Sequence, residues 1–230
     1  MKYYQIFRSA EPKVIGIKDG TSQVELITKD ILSDKSFIDF DNHFNSHNKD
    51  FWQSQDKIQF LNPPTFTGVL RKKAKVTDIM QYGEMFAFLN YIYSERYYNI
   101  IKAFKIGQHK AFGFVIENVR HPYYLLYFET VSLLEISHEK SLIYTGNSVL
   151  NNVQFHKVAS YEAYVDLKKE FPLARFKSIA IPEHYYGKDI IETQASGQPF
   201  YSEKLVDFLL DCKITGLEVN YNNSVQLEFV

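Results

Sequence analysis

Apolar and polar positions alternate in short runs near the start of the chain. "YYQIF" (Tyr3 to Phe7), "KVIGI" (Lys13 to Ile17) and "QVELI" (Gln23 to Ile27) are each bounded by turn residues, and each predicts a strand. Lys18 to Gly20 predicts a turn between the last two. From Ser33 to Asp56 the pattern dissolves into Asp, Asn, His and Ser, which predicts a long loop. Phe37, Phe40, Phe44, Phe51 and Trp52 fall inside it, and such aromatics need burial, in their own domain or in a partner. Pro63 and Pro64 in "NPPTFTG" (Asn62 to Gly68) interrupt any helix or central strand and mark a point where the chain could subdivide.

Helical spacing appears in two related phrases, "YSERYYNIIKAFKIGQ" (Tyr93 to Gln108) and "YSEKLVDFLLDCKITG" (Tyr201 to Gly216). Ser94 and Ser202 are good N-caps, and Glu95 and Glu203 put negative charge in the first turn. Tyr93 with Tyr98, and Tyr201 with Val206, stand at the staple positions. Tyr97, Ile100, Ile101 and Phe104 predict one apolar stripe; Leu205, Phe208, Leu209 and Cys212 predict the other. Gly107 and Gly216 are placed to stop the helices. The phrases lie 108 positions apart, the difference between 201 and 93. This spacing reads either as a weak internal duplication or as one capping chemistry used twice.

Between the phrases, "AFGFVIENV" (Ala111 to Val119), "YYLLYFETV" (Tyr123 to Val131), "LLEIS" (Leu133 to Ser137) and "SLIYT" (Ser141 to Thr145) predict strands, with "TGNS" a turn. A helix is predicted from Ser160 to Phe171, capped by Ser160 and stopped by Pro172, and then a strand from Ala174 to Ile181. "GLEVNYNNSVQLEFV" reads as a hairpin turning at "NNS". The pattern as a whole predicts an α+β fold: mixed, mostly antiparallel sheet with a few short capped helices, over residues 1–230 as one domain.

Composition narrows the functional classes. The formal net charge is -1 and 45% of the 230 residues are hydrophobic, enough to bury a core without staples. A near-neutral chain is unlike a nucleic-acid-binding domain. Residues 1–115 hold 16 Lys+Arg against 12 Asp+Glu, and the remainder 10 against 15, so the C-terminal half suits a basic partner or is simply solvated. The single cysteine, Cys212, allows no internal disulfide and reads as a small buried hydrophobe. With neither a signal-peptide pattern nor an apolar run of membrane-spanning length, the expectation is a cytoplasmic protein with no membrane partner.

Catalytic signatures are sparse. There is no phosphate-binding glycine loop, no nucleophile elbow and no cysteine pair for zinc. His43 and His47 have i, i+4 spacing beside Asp39 and Asp41, which on a helix could hold a metal; the flanking Asn, Ser and Asp favour a polar loop. Ser94-Glu95 and Ser202-Glu203 are explained by capping. The basic run Arg71 to Lys75 could contact phosphates or be solvated surface. No cofactor is expected. The sharper reading of the aromatic segment makes Asp39, Phe40, Asp41, Phe44, Phe51 and Trp52 partner contacts, aromatics beside carboxylates that suit a basic protein.

"MKYYQIF", "TDIMQYGEMFAFLNYIYSERYYNIIKAF", "HPYYLLYFETVSLLEIS" and "FYSEKLVDFLLDCKITGLEV" occur here in that order. In this the chain resembles bacterial immunity proteins of polymorphic toxin systems, a group first catalogued as a domain of unknown function. The resemblance implies neutralisation of a cognate toxin by direct binding, without catalysis. The alternatives are a hydrolase using dispersed His and carboxylates, and a weak nucleic-acid-binding module.

Overall fold

A computed structural model describes residues 1–18, 22–83, 86–222 and 225–230. In chain order the elements are β1 (Tyr3–Arg8), α1 (Pro12–Ile15), β2 (Val24–Ile27), α2 (Lys35–Phe44), β3 (Phe66–Leu70), β4 (Ile79–Met80), β5 (Ile92–Ser94) and α3 (Glu95–Ile101). Then follow β6 (His109–Ile116), β7 (Tyr123–Phe128), β8 (Thr130–Val131), β9 (Leu142–Thr145), β10 (Gln154–His156), α4 (Tyr161–Glu170) and β11 (Arg175–Ile181). The last are β12 (Ile190–Thr193), β13 (Phe200–Ser202), α5 (Glu203–Asp211), β14 (Leu217–Asn220) and β15 (Gln226–Phe229). Two short 3₁₀ helices, Phe51–Gln53 and Gln55–Phe60, link α2 to β3.

The strands form three sheets, ordered β2-β3-β6-β7-β5-β4, β14-β1-β13-β12-β8 and β10-β9-β11-β15. Among the described strands only β3 with β6, β8 with β12 and β11 with β15 pair in parallel, so the fold is α+β with mixed, mostly antiparallel sheet. Among the described residues no helix is long and apolar enough to cross a membrane.

The expected loop from Ser33 to Asp56 holds a helix, α2. Asp34 caps it, its carboxylate accepting from the Ser36 and Phe37 amides at 2.8 and 3.1 Å. Phe37, Phe40 and Phe44 share one face and are buried. The Phe40 ring lies 4.8–5.1 Å from those of Phe44, Phe66, Phe86 and Phe112, in the tilted and edge-on geometries aromatic pairs favour. The Asp, Asn, His and Ser that weakened the helical pattern occupy the other face, where propensity matters less than burial of the apolar one.

Three further expectations are corrected. Lys13 to Ile17 is not a strand: Pro12 opens a single helical turn where its missing N–H costs nothing. Gly16 closes that turn at φ +80°, and a Cβ there would lie 2.1 Å from the Lys73 carbonyl. Leu133 to Ser137 is a turn, fixed where the Ser137 amide donates to the Ala180 carbonyl at 2.9 Å. The C-terminal strands make no hairpin: β14 pairs antiparallel with β1, and β15 pairs parallel with β11 in another sheet. Asp19 and Gly20 of the first expected turn, and Asn223 and Ser224 of the last, lie outside the described residues.

Three apolar cores result. One packs α2 on the β3–β6–β7 surface. The second lies around α3 and α5, with Tyr93, Tyr97, Ile101, Tyr201, Leu205 and Leu209 at its centre. The third gathers Ile143, Phe176, Ile179 and Ile181 under α4, whose Tyr164 stacks on Phe176 at 5.2 Å.

Candidate functional site

The two Ser-Glu phrases build two strand-to-helix corners with the same chemistry. Ser94 ends β5 and caps α3, its hydroxyl accepting from the Tyr97 amide at 3.1 Å. Ser202 ends β13 and caps α5, accepting from the Leu205 amide at 3.3 Å. Each hydroxyl then donates to an aspartate: Ser94 to Asp78 Oδ1 at 2.7 Å, Ser202 to Asp189 Oδ1 at 2.6 Å. Each serine amide donates to the carbonyl of the same aspartate, at 2.8 and 2.9 Å.

The second carboxylate oxygen of each aspartate crosses to the loop after the other helix. Asp78 Oδ2 accepts from the amide and hydroxyl of Thr215, both at 2.8 Å, beyond α5. Asp189 Oδ2 accepts from the Lys105 amide at 2.9 Å, beyond α3. Each corner therefore holds its own helix start and the other helix's exit. We term the two arrangements the first and second clamp.

The surrounding strands correspond residue by residue. Ser94 lies opposite Tyr123, as Ser202 lies opposite Tyr3. Ile79 faces Tyr93, as Ile190 faces Tyr201. His109 faces Phe128, as Leu217 faces Arg8. The Tyr123 hydroxyl donates to the Thr77 carbonyl and the Tyr3 hydroxyl to the Lys188 carbonyl, both at 2.9 Å. In the first clamp the flanking strand is β7, which follows β6 in the chain; in the second it is β1, supplied from the N-terminal end.

The clamps differ in charge. Lys204, second residue of α5, places its ammonium 3.1 Å from Asp189 Oδ1, and Asp189 is fully buried. Arg96, at the same position of α3, donates instead to the Cys212 carbonyl. Asp78 is half-buried and makes no ion pair among the described residues. Beside it opens a cavity of about 810 Å³, walled by Val76, Thr77, Asp78 and Thr215 on one side and Glu95, Arg96, Asn99, Ile100 and Ala103 of α3 on another, with Ser94, His121, Tyr123 and Phe208 completing it.

Details of the phrases depart from expectation. Tyr93 stacks on Tyr97 at 4.7 Å, not on Tyr98, whose ring meets Tyr124 at 5.1 Å. Helix α3 ends at Ile101, well short of Gly107. Lys213, at φ +54°, takes the left-handed position after α5. Gly216 serves a close approach: a Cβ there would stand 2.4 Å from the Ile79 carbonyl. Phe208 is 46% exposed rather than part of the buried stripe, edge-on to Phe104 at 5.4 Å. Cys212 is half-buried.

A buried carboxyl escaped the sequence reading. Glu192 on β12 is 2% exposed, and burial pushes its pKa up to about 8. Tyr93, Tyr127 and Tyr201 lie close enough to feel its charge. Its sequence signal is an acid set among β-branched residues in "IIET" (Ile190 to Thr193).

The expected partner contacts do not form one surface. Phe40, Phe44 and Phe51 are buried in the first core and present nothing to a partner, because the segment thought to be a loop is an amphipathic helix turned inward. Trp52 is half-buried, edge-on to Phe51 and Phe88 at 5.0 and 5.2 Å. Asp39 is exposed and Asp41 half-buried on α2. His43 packs on the Phe44 and Phe51 rings at 5.3 and 5.4 Å, and desolvation lowers its pKa. His47 falls beyond the Asn45 C-cap, so the pair shares no helix face. Among the described residues no three His, Cys, Asp or Glu are grouped to hold a metal ion. The basic run forms a turn after β3, with Arg71 3.3 Å from Glu25 and the Lys75 ammonium on the Lys13 carbonyl at 2.8 Å. The chain matches no protein-family model and no curated protein.

Proposed function

We propose that the protein is a cytoplasmic immunity protein that binds and neutralises a cognate bacterial toxin without catalysis, by steric blockade or by masking charge. The observation that carries this reading is the use of the two Ser-Glu phrases. They are the residues on which the resemblance to immunity proteins rests. Their hydroxyls are committed to Asp78 and Asp189 and to the helix amides. Among the described residues neither serine hydroxyl has a histidine as a hydrogen-bond partner, so neither resembles a nucleophile activated by a base. A neutralising protein needs a rigid scaffold and a complementary surface, and the crossed clamps supply the rigidity by tying each helix start to the other helix's exit. The excess of acidic residues after position 115, 15 against 10, favours a basic partner through steering at long range.

Co-expression with the toxin encoded by the neighbouring gene tests the reading. Growth rescue together with a complex recovered by pull-down is the expected result. Absence of both overturns it.

A further inference from the structure

The two clamps are built alike, so the second shows how this geometry is completed when a cation is present. Asp189 Oδ1 accepts from the Ser202 hydroxyl and also from the Lys204 ammonium, at 2.6 and 3.1 Å. Asp78 Oδ1 accepts from the Ser94 hydroxyl alone among the described residues, at 2.7 Å. A carboxylate oxygen has two lone pairs, so the acceptor position that Lys204 fills on Asp189 is open on Asp78. Arg96, the residue that could fill it, is held by the Cys212 carbonyl. Asp78 and Ser94 both line the cavity of about 810 Å³.

From this pairing we propose that the cavity beside Asp78 receives a lysine side chain of the partner protein, seated on Asp78 as Lys204 is seated on Asp189. This rests on the proposed function and names the chemistry of the partner's contact. Asp78 provides a charge-assisted acceptor in a partly desolvated position, where such bonds are stronger than neutral ones. Exposed Glu95 adds a second negative charge at the rim, against the one positive charge of Arg96, whose guanidinium is engaged by the Cys212 carbonyl. The half-exposed Phe208 offers its ring, as the Phe104 ring lies 6.0 Å from the Lys204 ammonium, within reach of a cation–π contact. Ile100, Ala103 and Val76 give an apolar wall for the four-carbon stem. The cavity is larger than one side chain, so the loop that carries the lysine enters with it.

The test uses the full chain and two probes, Nα-acetyl-lysine N-methylamide and the norleucine counterpart that lacks only the ammonium. Backbone amide shifts are followed by NMR. The lysine probe is expected to move Ser94, Glu95 and Thr215 saturably, with the norleucine probe about tenfold weaker, as for loss of one charged hydrogen bond. Asp78→Asn should abolish the preference between probes. Phe208→Ala, a change at a half-exposed ring that leaves the clamp intact, should weaken the lysine probe about threefold, the loss of one exposed cation–π contact. Equal binding of the two probes, no saturable shift at these amides, or lysine binding unchanged in both variants overturns the inference. None of these outcomes touches neutralisation, and a failed co-expression rescue leaves the probe result standing, so the two proposals fail separately.

Discussion

Asp78 and Asp189 hold corresponding positions, receive the same serine hydroxyl and the same serine amide, and each ties down the exit of the opposite helix. Yet one is half-buried beside a cavity and makes no ion pair among the described residues, and the other is fully buried against a lysine. The hydrogen bonds are therefore the constant part of the arrangement, and the charge balance is the variable part. Where the carboxylate is sealed, the fold supplies its own cation, because an unpaired buried charge is expensive. Where water reaches the carboxylate, no internal cation is required, and the acceptor stays available.

Replacing the aspartates tests this contrast most strongly. Asp189→Ala should cost about 2–6 kcal/mol, roughly 1–3 for each donor it orphans, the Ser202 hydroxyl and the Lys105 amide. Asp78→Ala should cost about 1–3 kcal/mol, the loss of bonds at a site that water can partly repair. Urea denaturation midpoints measure both, and equal losses would show that the burial difference is energetically empty.

Glu192 offers a second way to sharpen the comparison. It lies on β12 beside the second clamp, and Gln81 takes the corresponding place after β4, as Thr193 and Tyr82 each bridge in parallel to Val131 and Val24. In the unfolded chain a Glu ionises near pH 4.3, whereas burial keeps Glu192 protonated up to about pH 8. Below the lower value the group has no effect on stability. Between the two values the unfolded state sheds its proton and stability falls by about 1.4 kcal/mol per pH unit. Above about pH 8 both states are ionised and the decline ends. The neighbouring Tyr93, Tyr127 and Tyr201 are themselves pushed upward by burial and stay neutral across this window. Glu192→Gln should remove the decline and stabilise the protein by about 4 kcal/mol at pH 7, read from denaturation midpoints at pH 5 and pH 7. A pH-independent gain would place the effect outside ionisation.

Smaller effects separate the caps and the cations. Ser202→Ala and Ser94→Ala each lose an N-cap worth about 0.5–2 kcal/mol, and Ser202→Ala should sit at the upper end because Asp189 keeps no water in its place. Thermal melts of the two variants should differ in that order. Last, Lys204→Met should cost about 1 kcal/mol, while Arg96→Met should change stability by less than about 0.5 kcal/mol, as exposed charged contacts do. Reversal of this order would remove Lys204 as the model for the cavity's occupant.

Much of each clamp was legible in the sequence. Ser94, Glu95, Ser202 and Glu203 announce helix starts, and the strands that follow the helices, β6 and β14, alternate clearly, whereas the three-residue strands that enter them, β5 and β13, are too short to show a pattern. The aspartates were not legible, because their partners are remote: Ser94 is 16 positions from Asp78, and Thr215 is 137 positions away. Local pattern reports elements, not which elements meet. The same limit explains the missed arrangement of β14 and β15, which alternate like a hairpin but pair with β1 and β11. Helix α2 fails for another reason. Its outer face carries poor helix formers, while Asp34 and the spacing of Phe37, Phe40 and Phe44 were present to be read. The aromatics suggested recognition, and burial made them core.

The position of β1 has a consequence for biosynthesis. It lies inside its sheet, between β13 and β14, so during synthesis it has no partners in that sheet until those two much later strands are made. At ordinary rates of translation that interval is about 10–40 s. The first clamp's own strands and helix lie between Asp78 and Phe128 and can assemble during synthesis, apart from the late arrival of Thr215. The second clamp closes only when β13 pairs with β1 across nearly two hundred intervening residues, so it is completed late.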